Sequence, residues 1–153
     1  MKNLLLFVLI IIFSCQNPLD LNKKINIPKI DKIFLNEKFQ IYVPRKNSFG
    51  DSILKSIHEF RDLKVSIEDL TKLNPSGIES FLDETLIKCD NLLSSKNSFI
   101  SRPEIRGRLK VLKTNILKCK FNNHQNDTKN LNKSLENLFL SYNILLEKLE
   151  DFK

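Results

Sequence analysis

Leu131, Leu135, Leu138, Tyr142, Leu145, Leu149 and Phe152 recur at alternating spacings of four and three. Ile105, Leu109, Leu112, Ile116 and Cys119 do the same just upstream. Each set draws one apolar stripe along a helix. The Asn-Asn-His-Gln-Asn-Asp run between them, 122–127, is short, polar and turn-prone, so the two helices are predicted to fold back as an antiparallel hairpin. A hairpin cannot cover both stripes by itself, and earlier segments must supply the rest of the layer.

Those segments are legible in the same way. Ile53, Ile57, Phe60, Leu63, Ile67 and Leu70 follow helical spacing, with Asp51 as a candidate N-cap. Ser66-x-x-Asp69 offers a restart, which leaves one long helix or two short ones. Asn74-Pro75 stops the pattern. Ser76-Gly77-Ile78-Glu79 fits a capping box before a stripe of Ile78, Leu82, Leu86, Cys89 and Leu93, and Ser101-Arg102-Pro103-Glu104 repeats that form. The expected architecture is all-α: a small antiparallel four-helix bundle with helices at about 51–73, 77–94, 102–121 and 127–152. Ile33–Val43 is either a short β-hairpin or extended chain docked through Phe34, Phe39 and Tyr42, with the extended form preferred.

The amino-terminal end follows different rules. After Met1-Lys2-Asn3 comes an unbroken apolar run, Leu4 to Phe13, too short to span a bilayer and typical of a signal-peptide core. It ends in Ile12-Phe13-Ser14-Cys15. This resembles the lipobox of bacterial prolipoproteins, with an aliphatic residue at −3, a small one at −1 and then the cysteine. The resemblance covers these fifteen residues alone. It implies cleavage before Cys15, lipidation of its thiol and a domain facing the periplasm or cell surface; two acyl chains give stable anchoring where one does not. An acidic residue directly after the cysteine, the inner-membrane retention signal of some such proteins, is missing, so the implied address is the outer membrane. The organisation is then a signal peptide over 1–14, a lipid-anchored linker over 15–30 and one helical domain over 31–153.

Composition agrees with a single globular domain: 153 residues, 41% hydrophobic and 28% charged, with only 3 Gly and no Trp. The formal net charge is +7, which permits contact with anionic surfaces without demanding it. Arg102, Arg106, Lys110, Lys113 and Lys120 project at nearby angles beside the apolar stripe of the third helix. They form a basic face that is either solvated and ion-paired or a docking surface for an anionic envelope component or an acidic protein. No aromatics interleave these charges, and nucleic acid is not an expected partner. Glu136, Glu147 and Glu150 are assigned to the outward face of the last helix.

Catalytic patterns do not emerge. His58 and His124 are the two histidines, neither in a metal-ligand or haem-attachment spacing, and no serine sits in a Gly-x-Ser-x-Gly turn. No cofactor and no enzymatic activity are expected. Cys89 and Cys119 both fall on apolar stripes; with a turn near residue 98 they lie ~16 Å apart along the helices, which favours two buried thiols over a disulfide. The functional expectation is a non-catalytic, lipid-anchored accessory or interaction protein of the cell envelope. The alternative is a periplasmic module holding an apolar ligand between helices. Oligomeric state is not legible.

Overall fold

The computed structural model describes residues 34–152. The signal peptide, Cys15, the linker and Ile33 lie outside the described residues. Six α-helices follow in order: α1 (Leu35–Lys38), α2 (Phe49–Ser56), α3 (His58–Thr71), α4 (Glu79–Ser94), α5 (Pro103–His124) and α6 (Thr128–Glu150), with a 3₁₀ turn at Pro75–Gly77. The fold is an all-α bundle. Its four long helices, α3 to α6, run up and down with each packed against the next. Two ion pairs fix the antiparallel sense of α4 and α5, because Asp90 meets Lys113 while Asp83 meets Lys120. Asn115 Nδ2 donating to Asn137 O, and Asn122 Nδ2 to Ser134 Oγ, do the same for α5 and α6.

The stripes read from the sequence form the core. Leu63, Ile67, Leu70, Leu82, Cys89, Leu109, Leu112, Ile116, Leu135, Leu138 and Leu145 are fully buried in one cluster. Hydrophobic burial of this kind is the main favourable term in folding. Between α3 and α4 the core contains one polar contact: Ser66 Oγ stands 2.7 Å from Thr85 Oγ1, which in turn donates to Phe81 O. Both hydroxyls are buried and both are hydrogen-bonded, which offsets the cost of taking them out of water.

Helix ends differ in part from the sequence expectation. The first helical segment breaks at Ile57, where the backbone turns extended (φ −99°, ψ 107°), and not at Ser66. The bend swings α2 away from the α3 axis to lie on the carboxyl end of α6. There Gly50 packs so closely that an added Cβ would stand 3.0 Å from Glu150 Cγ. Ser48 caps α2, accepting from Asp51 N–H at 3.2 Å; Asp51 sits inside the first turn and its carboxylate reaches back to Asn47 N–H at 2.9 Å. The N-cap positions of α4 and α5 are Ile78 and Arg102, with no side-chain cap bond at either, so the two helices start two residues and one residue past the caps expected at Ser76 and Ser101. Pro103 at the first turn still suits the start of α5. The 122–127 turn closes as expected: Asn126 takes the left-handed conformation (φ 54°), Asp127 N–H donates to Asn122 O, and Asp127 then caps α6.

Residues 39–45 are an extended strap laid along α6, and no strand occurs among the described residues. Leu35, not Phe34, is the buried anchor at its start; Phe34 is exposed. The Phe39 ring stacks on Phe139 at 5.1 Å between centroids. Glu150 holds the other end, accepting from the Tyr42 hydroxyl and, at 2.7 Å, from Arg45 N–H. The outward assignment of Glu150 is therefore corrected: its side chain is 8% exposed, covered by the strap and α2. Glu136 and Glu147 are exposed as expected.

Candidate functional site

The five basic residues singled out from the sequence share one side of α5, and most of them are engaged within the fold. Arg102 inserts its guanidinium between two rings, 5.1 Å from the Phe99 centroid and 4.9 Å from that of Phe152. This cation–π contact joins the α4–α5 loop to the carboxyl end of the chain. Arg106 Nη1 donates to Leu93 O at 2.9 Å, satisfying a carbonyl in the last turn of α4. Lys113 Nζ lies 2.6 Å from Asp90, and Lys120 pairs with Asp83. Lys110 is exposed and forms no salt bridge within the described residues. The stripe is thus mainly a seam between α4 and α5. Its acidic half, Asp83 and Asp90, repeats the seven-residue spacing of Lys113 and Lys120 two turns apart, a match that sequence reasoning missed.

A cleft of about 250 Å³ opens between the start of α3 and the end of α4. Glu59 is its centre: Oε2 stands 3.1 Å from His58 Nδ1, and Oε1 accepts from Ser95 Oγ at 3.0 Å. Ser95 Oγ also accepts from Asn97 N–H at 3.3 Å. For nucleophilic catalysis the imidazole must stand between hydroxyl and carboxylate, as general base to one and oriented by the other. Here the carboxylate stands between, so the serine proton points at Glu59. The arrangement braces the loop after α4.

A shallower groove of about 460 Å³ runs between the strap and α3, bordered by Phe39, Gln40, Glu68 and Lys72. Both clefts are open and bear charged side chains, unlike an apolar chamber between helices. Among the described residues, no three His, Cys, Asp or Glu side chains are grouped to hold a metal ion. Cys89 and Cys119 are free and buried; Cys89 Sγ faces Leu109 O at 3.5 Å, well short of Cys119 along α5, in keeping with the two separate thiols expected from the turn position. Burial pushes both thiols up to about 12. The Tyr142 hydroxyl is buried without a hydrogen-bond partner among the described residues, and burial, reinforced by the Glu68 carboxylate, raises its pKa.

No helix among the described residues is long and apolar enough to cross a membrane. Comparison with family models, with characterised proteins and with solved structures finds no match to the chain.

Proposed function

We propose that this protein is a bacterial lipoprotein, anchored through Cys15 to the cell envelope, whose helical bundle serves a non-catalytic interaction role. The observation that carries the reading is the sequence Ile12-Phe13-Ser14-Cys15 at the end of the apolar run from Leu4. The net charge of +7 supports an anionic envelope component or an acidic protein as partner. Of the five residues first assigned to such contact, Lys110 is exposed with no salt bridge among the described residues; Arg102, Arg106, Lys113 and Lys120 have intramolecular partners that an incoming anion must outcompete. Metabolic labelling with an alkyne fatty acid tests the anchor. The wild-type chain is expected to take up label and Cys15→Ser to take up none; equal labelling of the two rules the reading out.

A further inference from the structure

The described chain begins at one particular end of the bundle. Leu35 N–H donates to Leu73 O just past α3, and Lys38 Nζ reaches Asn132 Oδ1 near the start of α6. That end also carries the last turns of α5 and the first turns of α6. Leu117 and Phe121, one turn apart on the outer side of α5, are 44% and 64% exposed. The hydrogen bonds from Asn122 to Ser134 and from Asn115 to Asn137 set the α5–α6 register. That register sets Lys118 and Phe121 against residues 131–138 of α6, so Lys133 stands beside Phe121 and Lys129 one turn nearer the start of the helix. All three lysines are exposed and form no salt bridge within the described residues. Asp127 accepts from the Asn130 backbone and side-chain amides and feels the Lys129 charge, and Glu136 is exposed one turn beyond Lys133. Glu79 and Glu84 are also at this end, but on α4, across the Lys120–Asp83 pair.

An exposed aromatic and an aliphatic side chain set among unpaired lysines is the composition that settles into a lipid headgroup layer. We propose that the outer surface of α5 and α6 at this end, centred on Phe121 with Lys118, Lys129 and Lys133 and flanked on the α4 side by Leu117, docks the bundle onto the anionic bilayer that holds its own anchor. The inference rests on the Cys15 anchor proposed above. Nineteen peptide steps separate Cys15 from Phe34, so this end cannot stand more than about 65 Å from the anchored cysteine whatever path the chain takes. Tethering makes the contact intramolecular, and a surface too weak to bind from solution is sufficient. Each lysine near an anionic surface strengthens apposition about fivefold, and the effect fades as salt rises. The anchor and the patch then act together: the first retains the protein, the second sets which end of the bundle stays free. The end bearing Arg45, the α4–α5 loop and the carboxyl terminus is left pointing away.

The chain contains no Trp, so a single introduced indole reports its own surroundings. Full-length, cell-processed Phe121→Trp and Val43→Trp chains are reconstituted into phosphatidylcholine vesicles with and without phosphatidylglycerol, using bromine-labelled acyl chains as quencher. Val43 is 78% exposed and lies at the opposite end, beside the Glu150 clamp. Quenching of Phe121→Trp in the anionic vesicles, weakened by salt and absent for Val43→Trp, is the expected result. Adding Lys118→Glu, Lys129→Glu and Lys133→Glu is expected to abolish it; reversing Lys46, Arg61 and Lys96 at the far end is expected to preserve it. Flotation with neutral vesicles reads the anchor separately. Flotation without Phe121→Trp quenching overturns the docking and leaves the anchor standing, whereas failure to float overturns both. Protection of the indole with crosslinked dimers but no lipid quenching assigns the patch to a second copy, and also overturns the proposal.

Discussion

The Asn143 side chain pairs with the backbone around Tyr42 as a neighbouring strand would. Its Oδ1 accepts from Tyr42 N–H at 2.8 Å, and its Nδ2 donates to Gln40 O at 2.9 Å. A helix has no free backbone groups in its middle to offer an extended segment, so one carboxamide supplies both donor and acceptor. This contact, with the Phe39–Phe139 stack, explains how a strap with no strand partner stays in place.

Asn143→Leu keeps the branched outline and removes both bonds. At about 1 kcal/mol per net hydrogen bond, the loss expected is about 1–2 kcal/mol. Native-state hydrogen exchange checks it: the Tyr42 amide is expected to lose protection while amides in the middle of α5 keep theirs. Unchanged exchange at Tyr42 would show that Phe39 and Glu150 hold the strap without Asn143.

Glu150 gives the strap a pH dependence with two limbs. The hydroxyl of Tyr42, the Arg45 N–H and Ser48 hold its carboxyl below the ordinary glutamate value. A depressed carboxyl contributes stability above its unfolded pKa, about 4.3, that is lost as pH falls through the lower folded value. Tyr42 is raised, chiefly because it donates to Glu150, so its contribution is complete below about 10 and is lost as pH rises through the folded value. Thermal melting is therefore expected to weaken at both extremes. Tyr42→Phe should remove only its own part of the alkaline limb, leaving those of Cys89, Cys119 and Tyr142, all raised by burial, and of Lys72, which Asp69 raises. Glu150→Gln should reduce the acid limb, leaving the parts due to Asp51 and Asp127, both held low by local hydrogen bonds. Glu147→Gln, at an exposed position, should trim only a minor part of the Tyr42 contribution, because its carboxylate is the weakest of the groups that raise Tyr42.

Lys113 and Asp90 form an interhelix pair whose side chains are 36% and 42% exposed, so its coupling energy should be small. A double-mutant cycle to alanine is expected to return about 0.2–1 kcal/mol. Lys110→Ala, with no pair to lose, is expected to leave the denaturation midpoint unchanged. A zero coupling together with a large Lys110 effect would reverse the assignment of seam and free face.

The two buried thiols should be silent. With both pushed up to about 12 and enclosed, almost no thiolate forms at neutral pH. In a Cys15→Ser chain, a disulfide reagent is expected to titrate neither Cys89 nor Cys119 until urea unfolds the bundle, and both afterwards. Rapid reaction of one thiol in the native protein would place it outside the core.

What the sequence by itself determined is the helical body. The three-and-four spacing from Ile105 to Cys119 and from Leu131 to Leu149 is a local property, because a helix carries residues i, i+3, i+4 and i+7 to one face whatever surrounds it. The separation of Cys89 from Cys119 followed from the same arithmetic. What only the tertiary structure decided is where one element meets another out of period. The break at Ile57, the buried carboxylate of Glu150 and the Asn143 clamp depend on α2 and the strap lying across α6, contacts between residues roughly a hundred positions apart that no local pattern encodes. The basic side of α5 divides along the same line: its alignment is a helical repeat, but whether each charge is spent or free depends on the Asp83, Asp90, Leu93, Phe99 and Phe152 that packing brings beside it.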